Sequence, residues 1–144
     1  MNDTLLPTLP CMCASIRRAS RALTQTYDES LRSVGLRTTQ FTVLQVLSRA
    51  GGVTQGELGA MLAMDSTTLT RTLDIMARHG WIRKQRGKDR RERRLRLGKT
   101  GHEQFKRALP AWERAQSQVR RRIGDAGWRD LLNSTNKLVN DVTE

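Results

Sequence analysis

The spacing of apolar residues predicts where the first helix lies. Apolar side chains recur there at steps of seven, four, four and three, the period of one helix face: Ile16, Leu23, Tyr27, Leu31 and Val34. Pro10 precedes this stripe and Gly35 follows it, so the pattern predicts a helix of about twenty residues between them. One apolar stripe of that length has to lie against another long surface.

The next segments have the pattern of a small helical lobe. Residues 39–50 are apolar over too broad an arc for a surface helix, which indicates a buried core helix that ends at the following glycines. Thr54 and Glu57 form a capping box that predicts a short helix. A second helix is expected to start near Ser66 and to end at Gly80. Two short helices joined by a tight turn are typical of a helix-turn-helix.

The start of this second helix carries the residue types that a DNA-recognition helix needs. Hydroxyls and an arginine can donate to base edges and phosphates without blocking entry into a groove. The candidates are Ser66, Thr67, Thr68, Thr70 and Arg71. The alternative interpretation is that Ser66 and Thr67 only cap the helix.

The segment after Gly80 predicts a β-hairpin. Leu95 and Leu97 alternate with Arg94 and Arg96, the period of a half-buried strand, and "WIRKQR" supplies a first strand. The glycine-led polar loop "GKDRRE" between the two runs fits a hairpin connection. Such a hairpin is a wing that can lie along the minor groove while the helix occupies the major groove.

The charge of the chain is concentrated in this hairpin. Residues 81–99 hold ten basic and two acidic side chains, a net charge of +8 out of +12 for the whole chain. A localised excess of this kind favours a polyanion partner, above all nucleic acid. Two binding functions remain open, a sequence-specific double-stranded DNA regulator and a nucleoid-type protein without sequence preference. Enzymatic activity is not expected, since His79 and His102 lie in different elements and no catalytic motif is present.

The C-terminal third predicts long helices that need a partner. Thr100 and Glu103 form a second capping box, Pro110 is a potential kink, and Gly124 is expected to break the helix. Neither these helices nor the first can bury their apolar stripes against so small a lobe, so we expect a homodimer. No segment predicts a membrane span, a secretory signal, a metal site or a cofactor, so the expected location is the cytoplasm.

The order of these elements resembles the MarR family of bacterial transcription regulators. The family's wing signature, Asp-x-Arg followed by an aliphatic residue, is matched by Asp89, Arg91 and Leu95, and "STTLTRTLDIMARHGWIRKQRGKDRRERRLRL" resembles its recognition helix and wing. The resemblance implies a mainly α fold with a small β-hairpin wing (α+β). It also implies one domain over residues 1–144, with dimerisation helices at 11–34 and 100–144 and a winged helix-turn-helix lobe at 38–98.

The same resemblance implies roles for individual residues. Arg90 and Arg91 are expected at the minor groove, and Asp89 is expected to hold the loop by pairing with an arginine. Phosphate contacts are expected from the flanking basic residues Arg86, Lys88, Arg93 and Arg94. The helix residues 66–71 named above would face the major groove of a palindromic operator. A repressor of this family is usually relieved by a small lipophilic or phenolic effector.

Two cysteines raise the question of a redox signal. "CMC" is too closely spaced for a zinc knuckle, and small apolar filling is the simpler role of Cys11 and Cys13. However, "CASIRRASRALTQTYD" resembles the organic hydroperoxide resistance regulators of the MarR family, with Cys13 and Tyr27 matched. Because a helix N-terminus favours a thiolate, oxidant sensing at Cys13 is the alternative hypothesis.

Overall fold

A computed structural model describes residues 8–87, 89 and 92–143. Its elements in chain order are α1 (Met12–Leu31), a 3-10 turn (Arg32–Val34), α2 (Thr38–Ala50), β1 (Val53–Thr54), α3 (Gln55–Leu62), α4 (Ser66–Arg78), β2 (Ile82–Arg86), β3 (Arg93–Leu97) and α5 (Lys99–Thr143). The predicted mainly α fold with a small hairpin is confirmed. Lys88, Arg90 and Arg91, which the sequence assigned to DNA contacts, lie outside the described residues.

The core forms where α2, α4 and β3 meet the first half of α5. As predicted, α2 is largely buried, and its Phe41 lies against two aromatic rings of α5, with centroids 5.5 Å from Phe105 and 5.4 Å from Trp112. The inner face of α4 and the centre of β3 complete this core through Leu69, Leu73, Met76 and Leu95, each at most 1% exposed.

The hairpin is part of a three-stranded antiparallel sheet in the order β1-β3-β2. The predicted hairpin of β2 and β3 is confirmed, with Lys84 opposite Leu95. The sequence did not predict β1, because two residues are too few to show an alternating pattern. Val53 pairs with Leu95, so β1 ties the wing to the N-terminal end of α3.

Of the two predicted capping boxes, one is confirmed and one is wrong. Thr54 accepts the backbone N–H of Glu57 at 3.0 Å, and the Glu57 carboxylate accepts the backbone N–H of Thr54 at 3.1 Å. By contrast, α5 already begins at Lys99, and the Thr100 hydroxyl donates to the carbonyl oxygen of Gly80 at 2.5 Å. The tertiary contact to the end of α4 therefore replaces the local cap.

The long helices α1 and α5 pack against each other but leave apolar side chains exposed. Ser30 donates to the carbonyl oxygen of Ala111 at 2.6 Å, and the buried Gln104 donates to that of Val34 at 2.6 Å. Gly124, with φ of 80°, interrupts α5 as predicted, whereas the helix continues through Pro110. Exposed apolar side chains lie on both helices: Met12, Ile16, Leu23, Ile123, Leu131, Leu132, Val139 and Val142. No helix in the described ranges has the length and apolarity to cross a membrane.

Candidate nucleic-acid interface

The helix α4 presents one buried and one exposed face because its apolar residues follow the helical period. Its N-cap is Asp65, whose carboxylate accepts the backbone N–H of Thr68 at 2.9 Å and the Thr68 hydroxyl at 2.7 Å. These two hydrogen bonds, the backbone one first, lower the pKa of Asp65. Since Asp65 is the cap, Ser66 and Thr67 are not needed for capping, and their side chains are exposed.

The predicted helix contacts fall into two groups. Ser66, Thr67, Thr70 and Arg71 are exposed on the first two turns of α4. Thr68 is exposed as well, but its hydroxyl proton is used in the cap, so it has no proton left to donate to DNA. The Thr70 hydroxyl accepts a hydrogen bond from Gln55 Nε2 of α3 at 2.9 Å.

An ion pair connects α4 to the wing. Lys84 Nζ of β2 lies 2.9 Å from Asp74 Oδ1 of α4. The hydrogen bond from Lys84 and its charge lower the pKa of Asp74. Because Asp74 stands on the helix and Lys84 on the strand, the pair is a direct contact between α4 and the wing.

The start of β2 is held by backbone contacts to α4 and α5. The Trp81 N–H donates to the Met76 carbonyl at 3.1 Å, and the Trp81 carbonyl accepts the Gly98 N–H at 3.0 Å. The ring of Trp81 stacks on His79, with centroids 4.3 Å apart. A Cβ on Gly101 of α5 would lie only 2.0 Å from the Trp81 carbonyl oxygen, so glycine is required at this crossing.

The described arginines of the wing differ in their surroundings. Arg86 and Arg93, which pair across the hairpin, are exposed. Arg94 is half-buried, and its Nη1 lies 3.5 Å from the carbonyl oxygen of Gly52. The hairpin loop closes through the Gly87 N–H to the Glu92 carbonyl at 2.9 Å and the Glu92 N–H to the Asp89 carbonyl at 3.0 Å. These backbone contacts do not test the predicted pairing of the Asp89 side chain with an arginine, which stays a prediction.

The cysteines lie at the start of α1. Cys11 is the N-cap residue and Cys13 is in the first turn, and both are exposed. Tyr27 donates its hydroxyl proton to Gln116 Oε1 of α5, and burial raises the pKa of Tyr27. A rise of 1.5 Å per residue separates Cys13 from Tyr27 by about 21 Å along α1, so one chain does not bring them together. Within the described ranges, no group of three or more His, Cys, Asp or Glu residues could hold a metal ion.

Sequence reasoning placed Asp74 on the outer face of the second helix but missed Gln55, and it missed the pairing of Asp74 with Lys84. Gln55 follows the capping residue Thr54 and carried no signal of its own. Asp74 and Lys84 belong to a helix and a strand whose relative position no local pattern gives. No local signal in the sequence could have found this pair, because it depends on the packed position of the strand beside the helix.

A helix-turn-helix with a β-hairpin next to its second helix defines the class: the protein is a winged helix-turn-helix transcriptional regulator, not an enzyme. The family model that matches residues 36–92 is the MarR family. The chain belongs to the MarR family.

Three known proteins illustrate the similarity. The transcriptional regulator MosR of M. tuberculosis, in a crystal structure in complex with DNA, is 37% identical, with a TM-score of 0.82 and coverage of 91% of this chain and 95% of that one. YwoH of Bacillus subtilis (strain 168), an uncharacterized HTH-type transcriptional regulator, is 30% identical over 90 residues. These residues make up 62% of this chain and 66% of YwoH, so the match spans just under two thirds of the length of YwoH. A mutant of MarR from E. coli complexed with operator DNA is 20% identical, with a TM-score of 0.78 and coverage of 88% of this chain and 92% of that one, and shows the shared fold.

Proposed function

We propose that this protein is a cytoplasmic homodimer that binds a palindromic operator in double-stranded DNA and represses transcription. The observation that carries the proposal is that α4, with exposed polar residues on its first two turns, is joined through the Asp74–Lys84 ion pair to a wing that carries exposed arginines. In this arrangement α4 enters the major groove and the wing follows the adjacent minor groove. Regulation by a small lipophilic or phenolic effector belongs to the same proposal.

Residue roles follow from side-chain chemistry and exposure. We expect the exposed residues near the N-terminal end of α4 to read base edges: Ser66, Thr67, Thr70 and Arg71. Arg86 and Arg93 bind phosphates, which supply affinity rather than sequence preference. Arg94 contributes less than these two, since it reaches toward Gly52 of the protein itself. The proposed contacts of Arg90 and Arg91 with the minor groove rest only on the resemblance to the MarR family.

The exposed apolar residues of α1 and α5 support the proposed dimer. Leu131 is 53% exposed and Val142 is 68% exposed, although both stand on a regular helix with further apolar neighbours. A second copy of the chain buries such faces and places two recognition helices on half-sites about 34 Å apart. In this proposal residues 11–34 and 100–144 form the dimer and residues 38–98 form the DNA-binding lobe.

The deciding experiment measures sequence preference. A duplex is selected from a randomised 30-bp pool by the purified protein, and its affinity is compared with that of a random duplex at the same salt concentration. A regulator prefers the selected duplex by about 10³-fold or more. Equal affinities would refute the proposal and favour the nucleoid-type alternative.

The wing is tested separately with arginine variants. Arg90→Ala and Arg91→Ala should weaken binding to the selected duplex while the dimer stays folded. Arg86→Ala should weaken selected and random duplexes alike and reduce the slope of log affinity against log salt by about one. Arg37→Ala, at an exposed arginine outside both the proposed dimer helices and the DNA-binding lobe, is the matched control and should leave both affinities unchanged. Unchanged affinity in all the wing variants would remove the wing from the interface.

Oxidant relief is the second proposed signal, and exposed thiols at Cys11 and Cys13 support it. Since Cys13 and Tyr27 are far apart within one chain, any contact between them has to cross the dimer. Affinity for the selected duplex is measured with and without stoichiometric cumene hydroperoxide. The expected result is a loss of affinity in the wild type that Cys13→Ser prevents. A loss that persists in Cys13→Ser, or no loss at all, would exclude sensing at Cys13.

A further inference from the structure

One hydroxyl of the recognition helix is held by a side chain of the preceding helix. Gln55 is the first residue of α3, and its Nε2 donates to Thr70 Oγ1 of α4 at 2.9 Å. Both residues lie at the surface that we propose to face DNA. We propose that Gln55 is a positioning residue that orients the Thr70 hydroxyl as a hydrogen-bond donor toward DNA; this inference rests on the proposed function.

The direction of the hydrogen bond carries the argument. A threonine hydroxyl has one proton to donate and two lone pairs that accept. Because the Gln55 amide donates to Thr70, one lone pair is occupied and the hydroxyl proton is directed away from Gln55. An exposed hydroxyl held in this way offers a proton to whatever approaches α4. Thr70 thereby selects a hydrogen-bond acceptor in the major groove, such as guanine O6 or N7, adenine N7 or thymine O4.

Two neighbouring threonines show the opposite arrangement. Thr68 donates its hydroxyl proton to Asp65 Oδ2 at 2.7 Å, and Thr72 donates its proton to the Thr68 carbonyl at 3.1 Å. Both protons are therefore used inside the protein. Thr70 instead accepts from Gln55, so this bond does not use its proton, which is available for DNA.

The backbone next to Gln55 is held in place. Gln55 follows directly on Thr54, which is held by the capping box with Glu57 and by pairing with Arg94 in β3. The start of α3 is therefore anchored at two points. The Gln55 side chain extends from this anchored backbone, and its hydrogen bond reduces the orientations that the Thr70 hydroxyl can adopt.

The proposal is tested by a double-mutant cycle on the duplex selected by the wild type. The proteins are the wild type, Gln55→Ala, Thr70→Val and the double variant. We expect each single variant to weaken binding by about threefold to tenfold. The double variant should bind no more weakly than Thr70→Val, because Gln55 acts through Thr70. Thr70→Ser keeps the hydroxyl, so Gln55→Ala should still reduce affinity in that background.

The readouts separate positioning from other roles. Fully additive losses, or an equal loss on a random duplex, would mean that Gln55 contacts DNA independently and would overturn the inference. A lower midpoint of urea unfolding in Gln55→Ala, large enough to explain its loss of affinity, would also overturn the inference. If the wild type shows no sequence preference, the proposed function itself fails. If the wild type is selective but the losses are additive, only the inference about Gln55 fails, so the two outcomes can be told apart.

Gln55→Glu gives the sharpest version of the test. A carboxylate only accepts, so it draws the Thr70 proton inward and leaves lone pairs facing DNA. Duplexes selected by Gln55→Glu should therefore change at the base that Thr70 contacts, toward a base that donates, such as cytosine through N4. The added negative charge is controlled by Gln55→Glu in a Thr70→Val background, where the base preference should not change. An unchanged selected sequence in Gln55→Glu would refute the proposed orientation.

Discussion

Gly101→Ala tests the crossing between α5 and the start of the wing. The new Cβ would lie 2.0 Å from the carbonyl oxygen of Trp81, 2.9 Å from its carbonyl carbon and 3.2 Å from its Cα. All three are backbone atoms, so a change of rotamer cannot relieve the overlap. The Trp81 backbone is also held on both sides, through hydrogen bonds with Met76 and Gly98. Relief requires either α5 or the wing to move.

The sign of the effect follows from two opposing free energies. Alanine in a helix is favoured over glycine by about 1 kcal/mol. Overpacking typically costs about 1–3 kcal/mol, and an overlap with rigid backbone atoms belongs at the upper end, at about 3 kcal/mol. We therefore expect Gly101→Ala to lower the free energy of unfolding by about 2 kcal/mol, which for a chain of this size corresponds to a fall in Tm of about 7 °C.

The assay is urea unfolding followed by circular dichroism, at one fixed protein concentration because dimerisation makes stability depend on concentration. Gly56→Ala is the matched control, since Gly56 is an exposed glycine in α3 whose Cβ would approach nothing closer than Thr54 Oγ1 at 4.0 Å. It should be neutral or more stable by up to about 1 kcal/mol. If Gly101→Ala matches Gly56→Ala, the close approach of α5 to Trp81 is incorrect.

Three further predictions concern the core, the helix-wing ion pair and the dimer. Leu73→Ala, at a fully buried site of α4, should cost about 2–5 kcal/mol in urea unfolding, and a loss under 1 kcal/mol would contradict the assigned core. Lys84 lowers the pKa of Asp74 in the folded protein, so the ionised Asp74 stabilises the fold at any pH above the ordinary aspartate pKa. This stabilisation is lost as the pH falls through the pKa of Asp74 in the folded protein. The difference in free energy of unfolding between wild type and Asp74→Asn should therefore shrink on acidification. A difference that does not depend on pH would mean that the charge is unimportant. Leu131→Arg should give monomers in sedimentation velocity, whereas an intact dimer would place the interface elsewhere.

Local patterns in the sequence predicted the elements well and their contacts poorly. The helix periods, the box at Thr54 and the glycines that follow the 3-10 turn, α2 and α4 are properties of neighbouring residues, and all were found. The cap at Thr100 was wrong because a contact to Gly80, twenty residues earlier, replaced it. The bond of Gln55 to Thr70 spans fifteen residues and needs the packed angle between α3 and α4, which periodicity does not contain.

The junction at Trp81 explains how the DNA-binding elements keep their relative position. The end of α4, the start of β2 and the start of α5 meet within a few residues there, through Thr100 to Gly80, Gly98 to Trp81 and Trp81 to Met76. Asp74 and Lys84 add a second connection between helix and wing, at the middle of β2. A displacement of α5 at this junction would therefore have to move the end of α4 and the start of β2 with it, or break these hydrogen bonds.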